Sequence, residues 1–145
     1  MEWYAHVTVA TIVERDGKFL LVEEQSDNGL VFNQPAGHLE KDETLQQAAI
    51  RETLEETGWS VALKGVVGIG LYTAPTNGVT YQRVTFYAES TRHHPERELD
   101  TGIIGARWLS LEEIRAQSDK LRSPLVLEVI QRYLDGHRYP LEMIY

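Results

Sequence analysis

The sequence predicts a mixed α/β sandwich, with helices packed over the faces of a β-sheet. Three observations predict it. A turn-linked pair of β-rich segments opens the chain, a helix marked at both ends follows, and further strands then helices complete the order.

Residues 5–13 and 18–24 are rich in β-branched and large apolar side chains, and Arg15-Asp16-Gly17 between them supplies an Asp-Gly turn, so the two segments form a β-hairpin. Asp27-Asn28-Gly29 marks a second turn, followed by the short apolar segment Leu30-Val31-Phe32 and a loop through Pro35-Ala36-Gly37. Residues 44–57 read as a helix. Thr44 with Gln47 makes a capping box at its start, and Gly58 stands where a left-handed C-terminal cap belongs. Ile50 and Leu54 are expected to anchor this helix in the core.

Strands over 66–72 and 80–89, joined by the loop 73–78, are expected to be neighbours in the sheet. Polar and charged residues with Pro95 among them predict a loop over 90–101, then a short strand over 106–109. Ser110 with Glu113 caps a short helix over 111–117. Ser123-Pro124 opens a last helix, with Leu127, Ile130 and Leu134 as an apolar stripe ending before Gly136.

At 145 residues the chain fits one domain, residues 1–145. Its 22 acidic and 14 basic residues give a net charge of −8, which argues against a long nucleic acid as partner. The absence of cysteine excludes a disulfide framework and a thiolate zinc site, and fits a reducing cytoplasm. The segment Met1-Glu2-Trp3-Tyr4-Ala5-His6 lacks the basic and apolar regions of a leader, and no run reaches the roughly 18 apolar residues a membrane helix needs. The expectation is a soluble, unprocessed cytoplasmic protein, monomer or homodimer, with no membrane partner.

Chemistry concentrates on the central helix. At about 100° per residue, the i, i+3, i+4 spacing of Glu52, Glu55 and Glu56 puts three carboxylates on one face. An acidic helix face is by itself ordinary. These acids, however, repel one another, and Glu55 and Glu56 lie near the helix C-terminus, where the dipole disfavours anions. Six acids against Lys41 and Arg51 lie between Gly37 and Gly58. A hard divalent cation such as Mg²⁺ or Mn²⁺ would compensate, held by oxygen ligands and keeping sites for waters and substrate phosphates.

The frame around these acids resembles the Nudix box: a glycine, five residues, a glutamate, seven residues, then Arg-Glu-apolar-x-Glu-Glu-x-Gly-apolar. Every fixed letter matches, at Gly37, Glu43, Arg51, Glu52, Glu55, Glu56 and Gly58; Thr53 and Trp59 depart at the two apolar places. The resemblance implies a Nudix-type α/β/α sandwich with a mixed sheet. It implies that Gly37, Glu52, Glu55 and Glu56 bind the divalent ion, that Arg51 orients a box glutamate, and that Glu43 supports the loop. It implies attack of water on a phosphorus of a diphosphate linkage, with a general base that is a box glutamate or a carboxylate of a later loop, here Glu96, Glu98 or Asp100.

Outside the box, His6-Val7-Thr8-Val9-Ala10, Asn33-Gln34-Pro35-Ala36-Gly37-His38-Leu39-Glu40, Leu121-Arg122-Ser123-Pro124-Leu125-Val126 and Arg138-Tyr139-Pro140-Leu141-Glu142-Met143-Ile144 are similar to the NudJ subgroup of that family. That subgroup is associated with phosphate release from nucleoside tri- and diphosphates and with hydrolysis of thiamine-pathway pyrimidine pyrophosphates and thiamine pyrophosphate. The rival readings are a housecleaning nucleotide pyrophosphatase releasing pyrophosphate, a nucleotide sensor without turnover, and an RNA-processing member, which the charge disfavours.

Candidates for substrate contact lie elsewhere. On the strand 80–89, alternation puts Val84 and Phe86 on a core face and Tyr81, Arg83, Thr85 and Tyr87 on the other. Arg83 there either pairs with a substrate phosphate, with Tyr81 near a base ring, or sits on a wet face. Gln34 and His38 either read the substrate or are incidental loop residues. His93 and His94 read as solvated loop residues, and Trp3, Trp59 and Trp108 as core or rim aromatics.

Overall fold

The computed structural model describes residues 2–27 and 29–145, so Met1 and the Asn28 of the expected turn lie outside the described residues. Strands β1 (His6–Arg15) and β2 (Lys18–Ser26) form the expected hairpin. Asp16 and Gly17 both take positive φ, 52° and 78°, the left-handed pair a two-residue hairpin turn requires. The two strands stay paired only next to the turn and then part. Strand β2 pairs with β3 (Gly29–Asn33) and β7 (Ile103–Ser110), while β1 pairs with β4 (Ala36–His38) and, in parallel, with β6 (Thr80–His93).

Strand β5 (Trp59–Thr73) lies antiparallel beside β6, and the short β8 (Tyr139–Pro140) pairs with Gly65 and Val66 of β5. The sheet runs β3-β2-β1-β6-β5-β8, mixed because β1 and β6 are parallel. Helix α1 (Leu45–Thr57) covers one face, where Ala48 and Ala49 pack on Val9, Val66, Val84 and Phe86. Helices α2 (Leu111–Ala116) and α3 (Leu125–Leu134) cover the other, where Ile114, Val126 and Ile130 meet Ile12, Phe19, Leu21 and Val67. This is the α/β/α sandwich with a mixed sheet that the resemblance implied.

The caps of α1 form as expected. Thr44 accepts from the Gln47 N–H, the Gln47 side chain accepts from the Thr44 N–H, and Gly58 closes the helix at φ 75°. Its buried side differs from the expectation. Ala48, Ala49, Thr53 and Thr57 are buried, whereas Ile50 is 39% exposed and Leu54 half-buried. Small side chains let the helix lie close to the sheet. The Thr53 and Thr57 hydroxyls donate to the carbonyls of Ala49 (2.8 Å) and Thr53 (2.6 Å), so both are buried without losing hydrogen bonds.

In α3 the buried side is Val126, Val129, Ile130 and Tyr133, a strict i, i+3, i+4, i+7 set. Of the expected stripe, Ile130 is fully buried and Leu127 packs against the core from its edge, while Leu134 is 40% exposed and Tyr133 takes the buried place instead. The helix starts at Leu125, one residue beyond Pro124. Strands extend beyond what local sequence suggests in three places. Residues 36–38 form β4 because β1 offers an edge; β5 begins at Trp59, directly after the α1 cap; and β6 extends to His93 because Trp59, Ser60 and Val61 pair with it. Strand β7 likewise begins at Ile103 rather than 106, pairing with Glu24 of β2.

Candidate active site

Arg51 organises the acidic face of α1. Its guanidinium takes Glu43 in a two-pronged pair, Nε to Oε2 at 2.6 Å and Nη2 to Oε1 at 3.0 Å. Nη1 donates to Glu52 (2.8 Å) and Glu55 (3.2 Å), and Nη2 to the His38 carbonyl (3.2 Å). The loop 38–43 and the helix are thereby locked together. The bond from Arg51 holds Glu43 below the usual carboxylate range, and the Glu43 bond raises the guanidinium pKa still further.

One cation does not balance these acids. Oxygens of Glu52, Glu55 and Asp100 converge to within 4.8 Å of one another. Of the three acidic residues in the 90–101 segment, only Asp100 reaches α1, its N–H donating to the Glu55 carbonyl at 3.1 Å. Glu96 points to His94, and Glu98 is exposed. Glu56 lies beside this group, accepts the Ala36 N–H at 2.9 Å, and forms no ion pair among the described residues. Burial pushes its carboxyl up to about 8, and the negative charges of Glu52, Glu24 and Asp100 add to the shift. Burial also raises Glu52, against the opposing pull of Arg51.

Gly37 faces the same carboxylates. A Cβ built there would overlap the Glu52 carboxyl group, so the absence of a side chain at Gly37 leaves room for that carboxylate in its present position. The donor set is all oxygen, dense and undercompensated, which suits a hard divalent cation rather than a soft one.

A cavity of about 380 Å³ opens beside Gly37 and Glu56 and runs to Tyr81, Arg83 and Arg122. Arg83 does not sit on a wet face: it is 7% exposed, because α3 covers that side of the sheet. Its Nη2 donates to Asn33 Oδ1 (3.2 Å) and Gln34 Oε1 (3.0 Å), while its buried Nη1 has no partner. Burial without a carboxylate partner lowers its pKa to about 10. Gln34 stands behind Arg83, 1% exposed, its amide nitrogen donating to the Val126 carbonyl at 2.8 Å. Tyr81 lines the cavity with its hydroxyl accepting from Asn77 (3.1 Å), and His38 lies within hydrogen-bond distance of His6, ring nitrogens 3.1 Å apart.

His93 and His94 are not free loop residues. The first ends β6 and stacks on Trp59 at 4.6 Å, and the second meets the Ser60 hydroxyl at 2.9 Å. Trp59 and Trp108 pack edge to face as rim aromatics, while Trp3 is 73% exposed. Glu24, which sequence reasoning missed, lines the cavity and pairs with Arg122 at 2.7 Å. It belongs to no local pattern, and only the convergence of β2 with residues 122–125 brings it there.

Comparison with known proteins agrees with this geometry. Residues 4–129 match the NUDIX domain model. The chain is 48% identical over 139 residues to the phosphatase NudJ of Escherichia coli K12, covering 96% of this chain and 90% of that one. A solved NUDIX hydrolase from Nitrosomonas europaea superposes with a TM-score of 0.95 at 46% identity, covering 98% of this chain and 97% of that one. An ADP-ribose pyrophosphatase from Streptococcus suis shares the fold alone, with a TM-score of 0.69 at 15% identity over 94% of this chain and 96% of that one. No helix among the described residues is long and apolar enough to cross a membrane. With the box acids Glu52, Glu55 and Glu56 gathered on α1, Gly37 and Glu56 of the box lining the cavity, and its likeness extending over nearly the whole chain, this protein belongs to the NUDIX family of hydrolases.

Proposed function

We propose that this chain hydrolyses phosphoanhydride bonds of nucleoside tri- and diphosphates, of thiamine-related pyrimidine pyrophosphates, or of both, with Mg²⁺ or Mn²⁺, by attack of water on phosphorus. The observation that carries the reading is the convergence of Glu52, Glu55 and Asp100 next to Gly37 and Glu56, which line a cavity also lined by Arg83, a buried cation with one nitrogen, Nη1, lacking an acceptor. Such a cavity accepts a molecule with a phosphoanhydride at one end and an acceptor-bearing group at the other. The name of the Escherichia coli relative, a phosphatase, supports release of phosphate.

In this reading Gly37, Glu52, Glu55 and Glu56 hold the divalent ion. When bound, that ion lowers the pKa of water and neutralises charge on phosphate oxygens. Arg51 keeps Glu52 and Glu55 aimed at the site, and Glu43 fixes Arg51. Asp100, exposed to solvent and next to Glu55, takes the proton of the attacking water. Arg83 grips the substrate with Nη1, and Tyr81 flanks its ring.

The test is release of phosphate and pyrophosphate from nucleoside di- and triphosphates, thiamine pyrophosphate and hydroxymethylpyrimidine pyrophosphate, with Mg²⁺ and with EDTA. Metal-dependent release of single phosphates across several of these is the expected result. Pyrophosphate as the sole product would favour a housecleaning pyrophosphatase, and no turnover under any condition would favour a nucleotide sensor.

A further inference from the structure

Arg83 is a buried cation supported from one side only. Its Nη2 has two acceptors, Asn33 Oδ1 and Gln34 Oε1, while Nη1, equally buried, has none. A guanidinium left this way is costly, since a buried donor without an acceptor loses its hydration and gains nothing in return. It is stable in this pose only if something prevents it from turning to share its acceptors between both nitrogens.

Gln34 supplies that restraint. It is 1% exposed, and its amide cannot flip, because its nitrogen donates to the Val126 carbonyl in the first turn of α3 and its oxygen must therefore face Arg83. Thr8, opposite Arg83 in the parallel β1–β6 register, completes that side of the cavity. The chain of contacts runs from the α3 backbone through Gln34 to Arg83, a residue that lines the cavity and whose Nη1 donors meet no protein acceptor. Both Nη1 hydrogens are donors, so the group they meet must present an oxygen or nitrogen acceptor, either a phosphate oxygen or a ring carbonyl or ring nitrogen.

We infer that Gln34 is a positioning residue for substrate selection: by holding Nη2 it fixes the Arg83 guanidinium at the cavity wall with Nη1 left for the substrate, so that molecules offering an acceptor there bind well. The inference rests on the reading of Arg83 as a substrate contact, and deepens it. Gln34 touches no substrate itself.

The experiment compares R83A, Q34M and the double variant by steady-state kinetics on one nucleoside triphosphate, one nucleoside diphosphate and thiamine pyrophosphate with Mg²⁺, alongside thermal melting. Met keeps the volume of Gln34 and removes both hydrogen bonds. Expected for both single variants is a KM raised about tenfold with kcat within about threefold, and a double variant no worse than R83A, because the two residues act as one unit. A KM lost equally on all substrates assigns the acceptor to phosphate; a loss confined to some assigns it to the ring.

An unchanged KM in R83A overturns the reading of Arg83 itself. A raised KM in R83A with an unchanged KM in folded Q34M overturns the inference alone. If Q34M does not fold, N33A decides, since Asn33 is the other Nη2 acceptor and only half-buried: a smaller rise in KM that vanishes in the R83A background supports the lock, and no rise in KM overturns it.

Discussion

Arg51 and Glu43 meet through two hydrogen bonds, at 2.6 and 3.0 Å, and this pair joins the loop before α1 to the face that carries the carboxylates. The same guanidinium reaches Glu52 and Glu55. Two donors in a rigid fork are needed to hold so many acceptors in one plane, and a lysine ammonium cannot reproduce them. R51K should keep the fold by circular dichroism while kcat drops at least about tenfold. E43Q should show a smaller loss in the same parameter.

Asp100 is expected to behave unlike its neighbours in the same segment. D100N should lower kcat by roughly 10²–10⁴-fold, the range for a lost general base, whereas E96Q and E98Q should stay within about twofold of wild type. Equal effects of all three substitutions would remove Asp100 from the proposed chemistry.

Glu56 makes a prediction about stability as well as turnover. Its carboxyl titrates near 8 in the folded protein against an ordinary 4.5, so the fold favours the protonated form. That contribution is fully present below the unfolded value and is lost as pH rises through about 8. In EDTA, urea unfolding should show wild type weakening over this window and E56Q weakening less, with the variant ahead by on the order of 2–3 kcal/mol at alkaline pH and by little at pH about 4. Turnover with Mg²⁺ should fall by orders of magnitude in E56Q and in E55Q alike, and unaltered activity in both would sink the mechanism.

Two glycines separate chemistry from stability. In G37A the new methyl group meets the Glu52 carboxylate, so activity should fall at least about tenfold with little change in melting temperature. In G65A the methyl group meets the Tyr139 carbonyl and the Tyr87 ring, which are backbone and packed aromatic, so about 1–3 kcal/mol of stability should be lost. Differential scanning calorimetry and one activity assay distinguish the two.

What the sequence made legible was local or strictly spaced. The ends of α1 follow from Thr44, Gln47 and Gly58, whose hydrogen bonds span a single turn, and the box residues follow from their fixed intervals. Its buried side was not legible, because Ile50 is the larger apolar residue but Ala48 and Ala49 permit the closer approach to the sheet. Arg83 looked equally suited to solvent, since its burial depends on α3 docking through Val126, far along the chain. Asp100 could not be told from Glu96 and Glu98 by type or spacing; a backbone bond to Glu55 separates them. Strand β4 and the early start of β5 depend on partner edges that no single segment reveals.

The segment that carries Asp100 is fastened to α1 at both ends, with the His94 N–H on the Gly58 carbonyl (2.8 Å) and the Asp100 N–H on the Glu55 carbonyl (3.1 Å). Anchored like this, the stretch between the two clasps behaves as a handle rather than a hinge. The two clasps, rather than the exposed residues between them, set the register of Asp100 against the helix, so changes at the exposed Glu96, Arg97 and Glu98 should leave that register unchanged.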